Sequence, residues 1–202
     1  MTVPMRNGML VILSAPSGTG KSTICRKLLA RRAELRCSVS ATTRRPRPGE
    51  REGKHYFFLD AAEFKRRIAR GEFLEWALVH DHYYGTPRRF IESAVGGGAD
   101  VLLAIDVQGA AAIRRKRGDS VLIFVVPPSL RTLRRRIAAR RAPDDDVAKR
   151  LADSRQELEA AKSYDYLVVN DDLDRAVREI DCIITAERLR VERQRLEELI
   201  AV

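Results

Sequence analysis

Apolar residues gather in four short runs along the chain: "MLVILSA" from Met9, "DVLLAID" from Asp100, "SVLIFVV" from Ser120 and "YLVVN" from Tyr166. Runs of this length without alternation predict strands buried on both faces rather than half-solvated ones. Pro127 and Pro128 close the third run, since proline cannot continue a central strand. After the first run, "STICRKLLARRAEL" carries Ile24, Leu28 and Leu29 at helical spacing. Strands separated by helical stretches predict an α/β fold with a parallel sheet flanked by helices, because parallel strands need crossover connections.

Two stretches break this rhythm. From Cys37 to about Arg89 the chain holds short alternating pieces, "HYFFL" and "FLEWALV", around the proline- and glycine-rich "RRPRPGEREGK". That texture predicts an inserted small lobe, mixed or mostly antiparallel. From Leu130 to about Tyr164 the sequence is arginine-rich and helical, with Asp144 to Asp146 as a negatively charged helix start ahead of Val147, Leu151 and Leu158. The closing "TAERLRVERQRLEELIAV" reads as an amphipathic helix, suited either to capping the core or to pairing with a second subunit in a homo-oligomer. With 202 residues the chain is expected to form one domain: a core of 1–36, 90–128 and 160–202, the small lobe 37–89, and a helical segment 129–159.

Composition narrows the partners. No apolar run is long enough to span a bilayer, and the opening segment runs into a glycine loop rather than a signal-peptide cleavage site, so no membrane partner is expected. Cys25, Cys37 and Cys182 are odd in number and lack metal-ligand spacing, which suits packed, reduced thiols and a cytoplasmic location. The formal charge of +10 favours anionic partners. The basic residues are dispersed and not interleaved with aromatics, which favours phosphorylated small molecules over nucleic acid. His55, His80 and His82 read as incidental surface residues, and Trp76 as a core residue.

The segment "SAPSGTGKST", from Ser14 to Thr23, carries most of a phosphate-binding loop, with Ala15 where the pattern G-x-x-x-x-G-K-[ST] begins with glycine. Ser17, Gly18, Thr19 and Gly20 present consecutive backbone N–H groups, and the helix that follows adds the positive end of its dipole. Lys21 is placed to reach the β- and γ-phosphates and Ser22 to ligate Mg²⁺. Ala15 precedes Pro16, which pushes it towards extended geometry, so a methyl group is tolerable there. Asp106 ends an apolar strand, where a carboxylate can meet the metal or its waters, or can simply cap the next helix.

"SVSATTRRPRPGEREGKHYFF", "FLEWALVHDHYYGTP" and "DVQGA", in this order, resemble the guanylate kinase family from Met9 to Leu189. The resemblance implies ATP-dependent phosphorylation of GMP, or dGMP, with Mg²⁺, on a P-loop core with a GMP-binding lobe and a lid. It implies that Ala15, Pro16, Ser17, Gly18, Thr19, Gly20, Lys21 and Ser22 bind ATP. It further implies that Arg44, Arg47, Tyr56 and Tyr84 hold the GMP phosphate and that Glu75 reads guanine. Ser40 and Thr86 match positions at the base edge, and Asp106 a position for GMP and metal. Arg135, Arg140 and Arg150 resemble lid arginines that, with Lys21 and Arg44, meet the transferring phosphoryl group. Ala104 stands where many members carry a second aspartate, and the lid is about one residue short, with Arg141 in place of a glycine. Enzymes that phosphorylate ribose bisphosphate and non-enzymatic adaptor domains share this resemblance. The base reader argues against the first and the intact loop against the second.

Overall fold

The computed structural model describes residues 6–79, 81–139 and 147–195, and the side chains of 147–150 and 155 lie outside that description. Five strands form the main sheet: β1 (Leu10–Ser14), β2 (Arg36–Cys37), β7 (Val101–Ala104), β8 (Val121–Val126) and β9 (Tyr166–Val169), in the order β2-β7-β1-β8-β9. Every pairing in it is parallel. The four apolar runs are therefore strands, and β2 is a two-residue edge piece.

Alternation within β1 explains why its first four residues, Leu10 to Leu13, are all apolar. Val11 and Leu13 face one cluster with Ile24 and Leu28 of α1 (Lys21–Arg31) and Val177, Ile180 and Ile184 of α7 (Leu173–Arg188). Leu10 and Ile12 face the opposite cluster with Ile91 and Val95 of α3 (Arg88–Gly96) and Ile113 of α4 (Val107–Lys116). Both faces are covered, so Leu10 to Leu13 are all apolar, and the polar exception, Ser14, stands at the carboxyl end where the loop begins. Cys25 lies in the first cluster, where burial pushes its thiol up to about 12. It packs rather than reacts.

The small lobe is a second sheet of β3 (Ser40–Thr42), β4 (Tyr56–Phe58), β5 (Phe73–Val79) and β6 (His82–Pro87), ordered β4-β3-β6-β5. β6 pairs antiparallel with β3 and β5, while β3 and β4 run parallel. Phe64 of α2 (Ala61–Ala69) stacks between Phe73 and Tyr83 to give this lobe its own core. The arginine-rich stretch forms α5 (Leu130–Ala138) and α6 (Val147–Ala160), and the acidic start Asp144 to Asp146 lies outside the described residues.

Three expectations are corrected. Cys37 and Cys182 are exposed rather than packed, and of the three thiols Cys25 alone is buried. Trp76 is 45% exposed, not core. A register irregularity between Phe73 and Glu75 sets the phase of β5, so that Glu75 and Ala77 turn inward while Trp76 and Leu78 turn out. The predicted closing helix is interrupted: α7 ends at Arg188, and the part of the tail beyond residue 195 lies outside the described residues. Val191–Arg193 form a 3-10 turn, and Gln194 bridges antiparallel to Arg6. At the same end of the sheet, buried Asp100 receives both terminal nitrogens of Arg6 at 2.7 Å, the Met9 N–H at 3.0 Å and Arg188 at 3.2 Å.

Candidate active site

Between the two sheets lies a cavity of about 220 Å³, at the carboxyl ends of β1 and β7. One wall is the loop after β1: Ala15, Pro16, Ser17, Gly18, Gly20, Lys21 and Ser22. Gly18 and Gly20 adopt φ of 89° and 102°, left-handed conformations that L side chains rarely enter. Ala15 needs no such freedom: among the described residues, Asp81 is the one non-glycine with positive φ. Ala15 instead joins the core cluster under the loop.

Lys21 begins α1, and its ammonium donates to the Ile105 carbonyl at 2.9 Å across the cavity floor. Burial lowers its pKa from the ordinary value, and nearby Asp106 and Glu157 work against that fall. Thr19 is fully buried and lines no cavity wall; its carbonyl accepts from Asn170 Nδ2 at 2.6 Å and from Arg136 at 3.4 Å. Gly18 is packed so closely on α5 that an added Cβ would meet Ile137 at 2.9 Å.

Asn170 and Arg136 thus hold the loop from below, and neither was singled out from the sequence. Arg136 also donates to the Asn170 carbonyl at 3.2 Å. Replacing Asn170 with alanine leaves the Thr19 carbonyl short of a donor in a buried setting, which is expected to lower stability by about 1–3 kcal/mol. A urea midpoint unchanged from the parent protein would show that the bond carries no such weight.

The opposite wall comes from the small lobe: Ser40, Arg47, Tyr56, Glu75 and Tyr84. Arg44 stands behind it, donating to Glu50 at 2.9 Å and to the Arg45 carbonyl at 2.7 Å, with its guanidinium 5.4 Å from the Tyr56 ring centre. Glu50 also accepts from the Arg47 backbone N–H at 2.8 Å, so one carboxylate arranges both arginines.

Glu75 is 3% exposed, and its Oε1 accepts from the fully buried Thr86 hydroxyl at 2.5 Å. Gly109 makes room for the other oxygen, since a Cβ there would sit 2.7 Å from Oε2. Burial pushes the Glu75 pKa up to about 7, helped by the charge of Asp106 and opposed by Thr86 and Lys116.

Asp106 also lines the cavity, but its Oδ1 caps α4, accepting from Gln108 N–H at 2.7 Å and Gly109 N–H at 3.0 Å. Its capping and site-facing readings coexist in one side chain. Ala104 lies beside it on the wall and offers no donor.

The arginine-rich helices contribute unevenly. Arg135 is exposed on α5, one residue from the Arg136 that touches the loop. Arg140 and Arg141 lie outside the described residues, as does the Arg150 side chain. Glu157 of α6 does line the cavity, and burial pushes it up to about 7, with Lys21 pulling down and Asp106 and Asp153 pushing up. Nothing in the helical pattern pointed to it, because it is one charge among several along α6. His55 is an exposed turn residue whose Nδ1 accepts from the Arg51 N–H at 3.0 Å, and His80 is not described.

Comparison with known proteins adds an independent finding. The family profile of guanylate kinase matches residues 7–187. A guanylate kinase of Symbiobacterium thermophilum is 51% identical over 187 residues, covering 92% of this chain and 89% of the relative. One from Caldanaerobacter subterraneus subsp. tengcongensis is 47% identical over 191 residues, covering 94% and 93%. The crystal structure of guanylate kinase from Anaplasma phagocytophilum superposes with a TM-score of 0.83 at 38% identity, covering 96% of this chain and 94% of that one.

Proposed function

This chain belongs to the guanylate kinase family, and from that premise we propose how its residues share the transfer of a phosphoryl group from ATP to GMP. The observation that carries the proposal is a single cavity with two unlike anion-binding walls, the loop with Lys21 on one side and Arg47, Tyr56 and Tyr84 on the other. Two phosphates held on facing walls are set for direct exchange.

The chain is divided in function as in sequence: 1–36, 90–128 and 160–202 carry the ATP cradle, 37–89 binds GMP, and 129–159 forms the lid. Loop amides and Lys21 take the ATP polyphosphate. Arg44, Arg47, Tyr56 and Tyr84 take the GMP phosphate, a guanidinium supplying a bidentate fork and a phenol a directed donor without charge. Glu75 accepts from the N1–H and exocyclic amine of guanine, a donor pair that adenine lacks. Ser40 and Thr86 complete the base edge, Thr86 by fixing Glu75.

A GMP phosphate oxygen forms a bond to the γ-phosphorus as the bond to the β,γ-bridging oxygen breaks, and ADP leaves. The acceptor oxygen is already anionic, so no side chain need remove a proton. Catalysis is then positioning and charge stabilisation, with closure of the lid excluding water. Arg135, Arg140 and Arg150 are assigned to that closed state.

The family works with ATP and magnesium. Ser22 supplies a hydroxyl and Asp106 the oxygen not used in capping α4, while Ala104 supplies nothing. Among the described residues no group of three or more His, Cys, Asp or Glu side chains could hold a metal. One carboxylate and one hydroxyl fit an ion that keeps phosphate oxygens and waters as its other ligands, as Mg²⁺ does. The ion would neutralise charge on the β- and γ-phosphates. Three cysteines that are all free thiols suit a cytoplasmic setting.

ADP release measured with GMP, AMP, CMP and UMP as acceptors tests the whole reading. Activity confined to GMP and its deoxy form supports it, and an equal rate without any acceptor contradicts it.

Acidity gives a further check. A carboxyl raised to about 7 is largely protonated at pH 6, yet guanine needs the ionised form. Binding therefore releases a proton from Glu75, and GMP affinity should rise about tenfold between about pH 6 and pH 8. The GMP phosphate itself titrates near pH 6, so the comparison is made against Glu75→Gln, which should lose the part of the rise centred near pH 7. For folding the sign is opposite. The raised carboxyl contributes stability that is present below its unfolded pKa and lost as pH climbs through about 7.

A further inference from the structure

Helix α4 meets the small lobe through two residues that do not line the cavity, Gly109 and Lys116. Gly109 stands in the first turn of the helix, where the backbone itself has no need of glycine: its φ is not left-handed, and alanine is the better helix former. The need comes from the strand opposite. A Cβ on Gly109 would lie 2.7 Å from Glu75 Oε2 and 3.1 Å from the carboxyl carbon.

Lys116, the last residue of α4, takes a second hold on the same strand, donating to the Leu74 carbonyl at 2.6 Å. Leu74 is the extra residue of the irregularity in β5. Phe73 pairs with Pro87 and Glu75 with Thr86, which leaves Leu74 without an opposite number in β6. A one-residue offset of this kind decides which side chains face inward. Gly109 and Lys116 are seven positions apart, close to two full turns, so both lie on the face of α4 that meets β5.

We propose that Gly109 and Lys116 are specificity-determining positioning residues, through which α4 seats the base reader: Gly109 gives the Glu75 carboxylate room against the helix, and Lys116 holds the bulge that turns Glu75 inward. The inference rests on Glu75 reading guanine. The atom that a methyl group at position 109 would displace is the tip of a flexible side chain, so Gly109→Ala moves the carboxylate and leaves the helix intact. The loop wall, built after β1, is untouched.

The test titrates GMP, IMP and ATP separately into the parent protein, Gly109→Ala, Lys116→Met and Lys116→Arg. IMP keeps the phosphate, ribose and N1–H of GMP and lacks the exocyclic amine, so it offers Glu75 one donor in place of two. Gly109→Ala should weaken GMP about tenfold and IMP about threefold, with ATP within about twofold. Lys116→Met should lower the preference for GMP over IMP in the same direction, and Lys116→Arg, which keeps a cationic donor, should restore most of it. The two positions lie at opposite ends of α4, so either reads the ratio if the other variant does not fold. In a Glu75→Gln background, Gly109→Ala should weaken GMP by less than a further twofold or so, because the contact it disturbs is already broken. Equal losses for GMP and IMP, as general loosening of the lobe would give, or parental GMP affinity in Gly109→Ala, overturns the proposal. Failure of the functional reading would look different: Glu75→Gln alone would leave GMP affinity unchanged, and the inference would fall with it.

Discussion

Lys21→Ala is expected to lower kcat by about a hundredfold or more, the scale seen when one preorganised donor to a developing charge is removed. Lys21 is held at the cavity floor by the Ile105 carbonyl, which fixes its ammonium before any ligand arrives. Its reorganisation cost is thus met during folding, and the charge is available when the γ-phosphoryl group loosens. The loop amides still bind the polyphosphate in the variant, so KM for ATP should change far less than kcat. A coupled assay of ADP release, made on protein whose circular dichroism and GMP affinity match the parent, is the check. Turnover near the parental rate would remove Lys21 from the transition state.

Glu75→Gln should cost GMP about ten- to a hundredfold in kcat/KM while leaving ATP affinity within about twofold, because hydrogen bonds to a charged acceptor carry about 1.5–3 kcal/mol. The substitution keeps the shape of a side chain wedged between the Thr86 hydroxyl and the Gly109 backbone. What it changes is chemistry: an NH₂ replaces one of two acceptors and faces a guanine donor. Separate titrations of the two nucleotides decide the matter, since equal losses for both would take Glu75 out of base recognition. The variant also imitates the protonated parent, which links this result to the acidity of the site.

The two residues differ in how they could be read from the chain. Lys21 sits in a segment whose chemistry is contiguous, because a loop of amides followed by a helix start must be built from neighbours in sequence. Strand, loop and helix were legible for the same reason, and so was the parallel sheet, since strands buried on both faces leave no polar positions. Glu75 was legible only through resemblance; alone it is one acidic residue in an apolar strand. Its inward turn also defeats the hydrophobic reading of its neighbour, for once Glu75 and Ala77 face the cavity and core, Trp76 must face solvent.

Asn170, Arg136, Glu50 and Glu157 were not legible at all. The first two reach Thr19 across 151 and 117 positions, and periodicity reports which side of a helix is apolar, not which loop lies opposite. Arg135 and Arg136 show the limit: adjacent positions on one helix point about 100° apart, and only packing tells which meets the loop. The break after Arg188 was hidden similarly, because the amphipathic pattern continues past it while Gln194 is claimed by Arg6.

That last pairing has a consequence for the whole molecule. Arg6, Arg188 and the Met9 amide converge on Asp100 at the amino rim of the sheet, and the cavity lies at its carboxyl rim. The two ends of the described chain are therefore moored together on the side remote from the exchange. The cavity between the two sheets opens at the other rim, so residues 6 and 195 lie behind it and a label placed near either of them sits away from the lining residues.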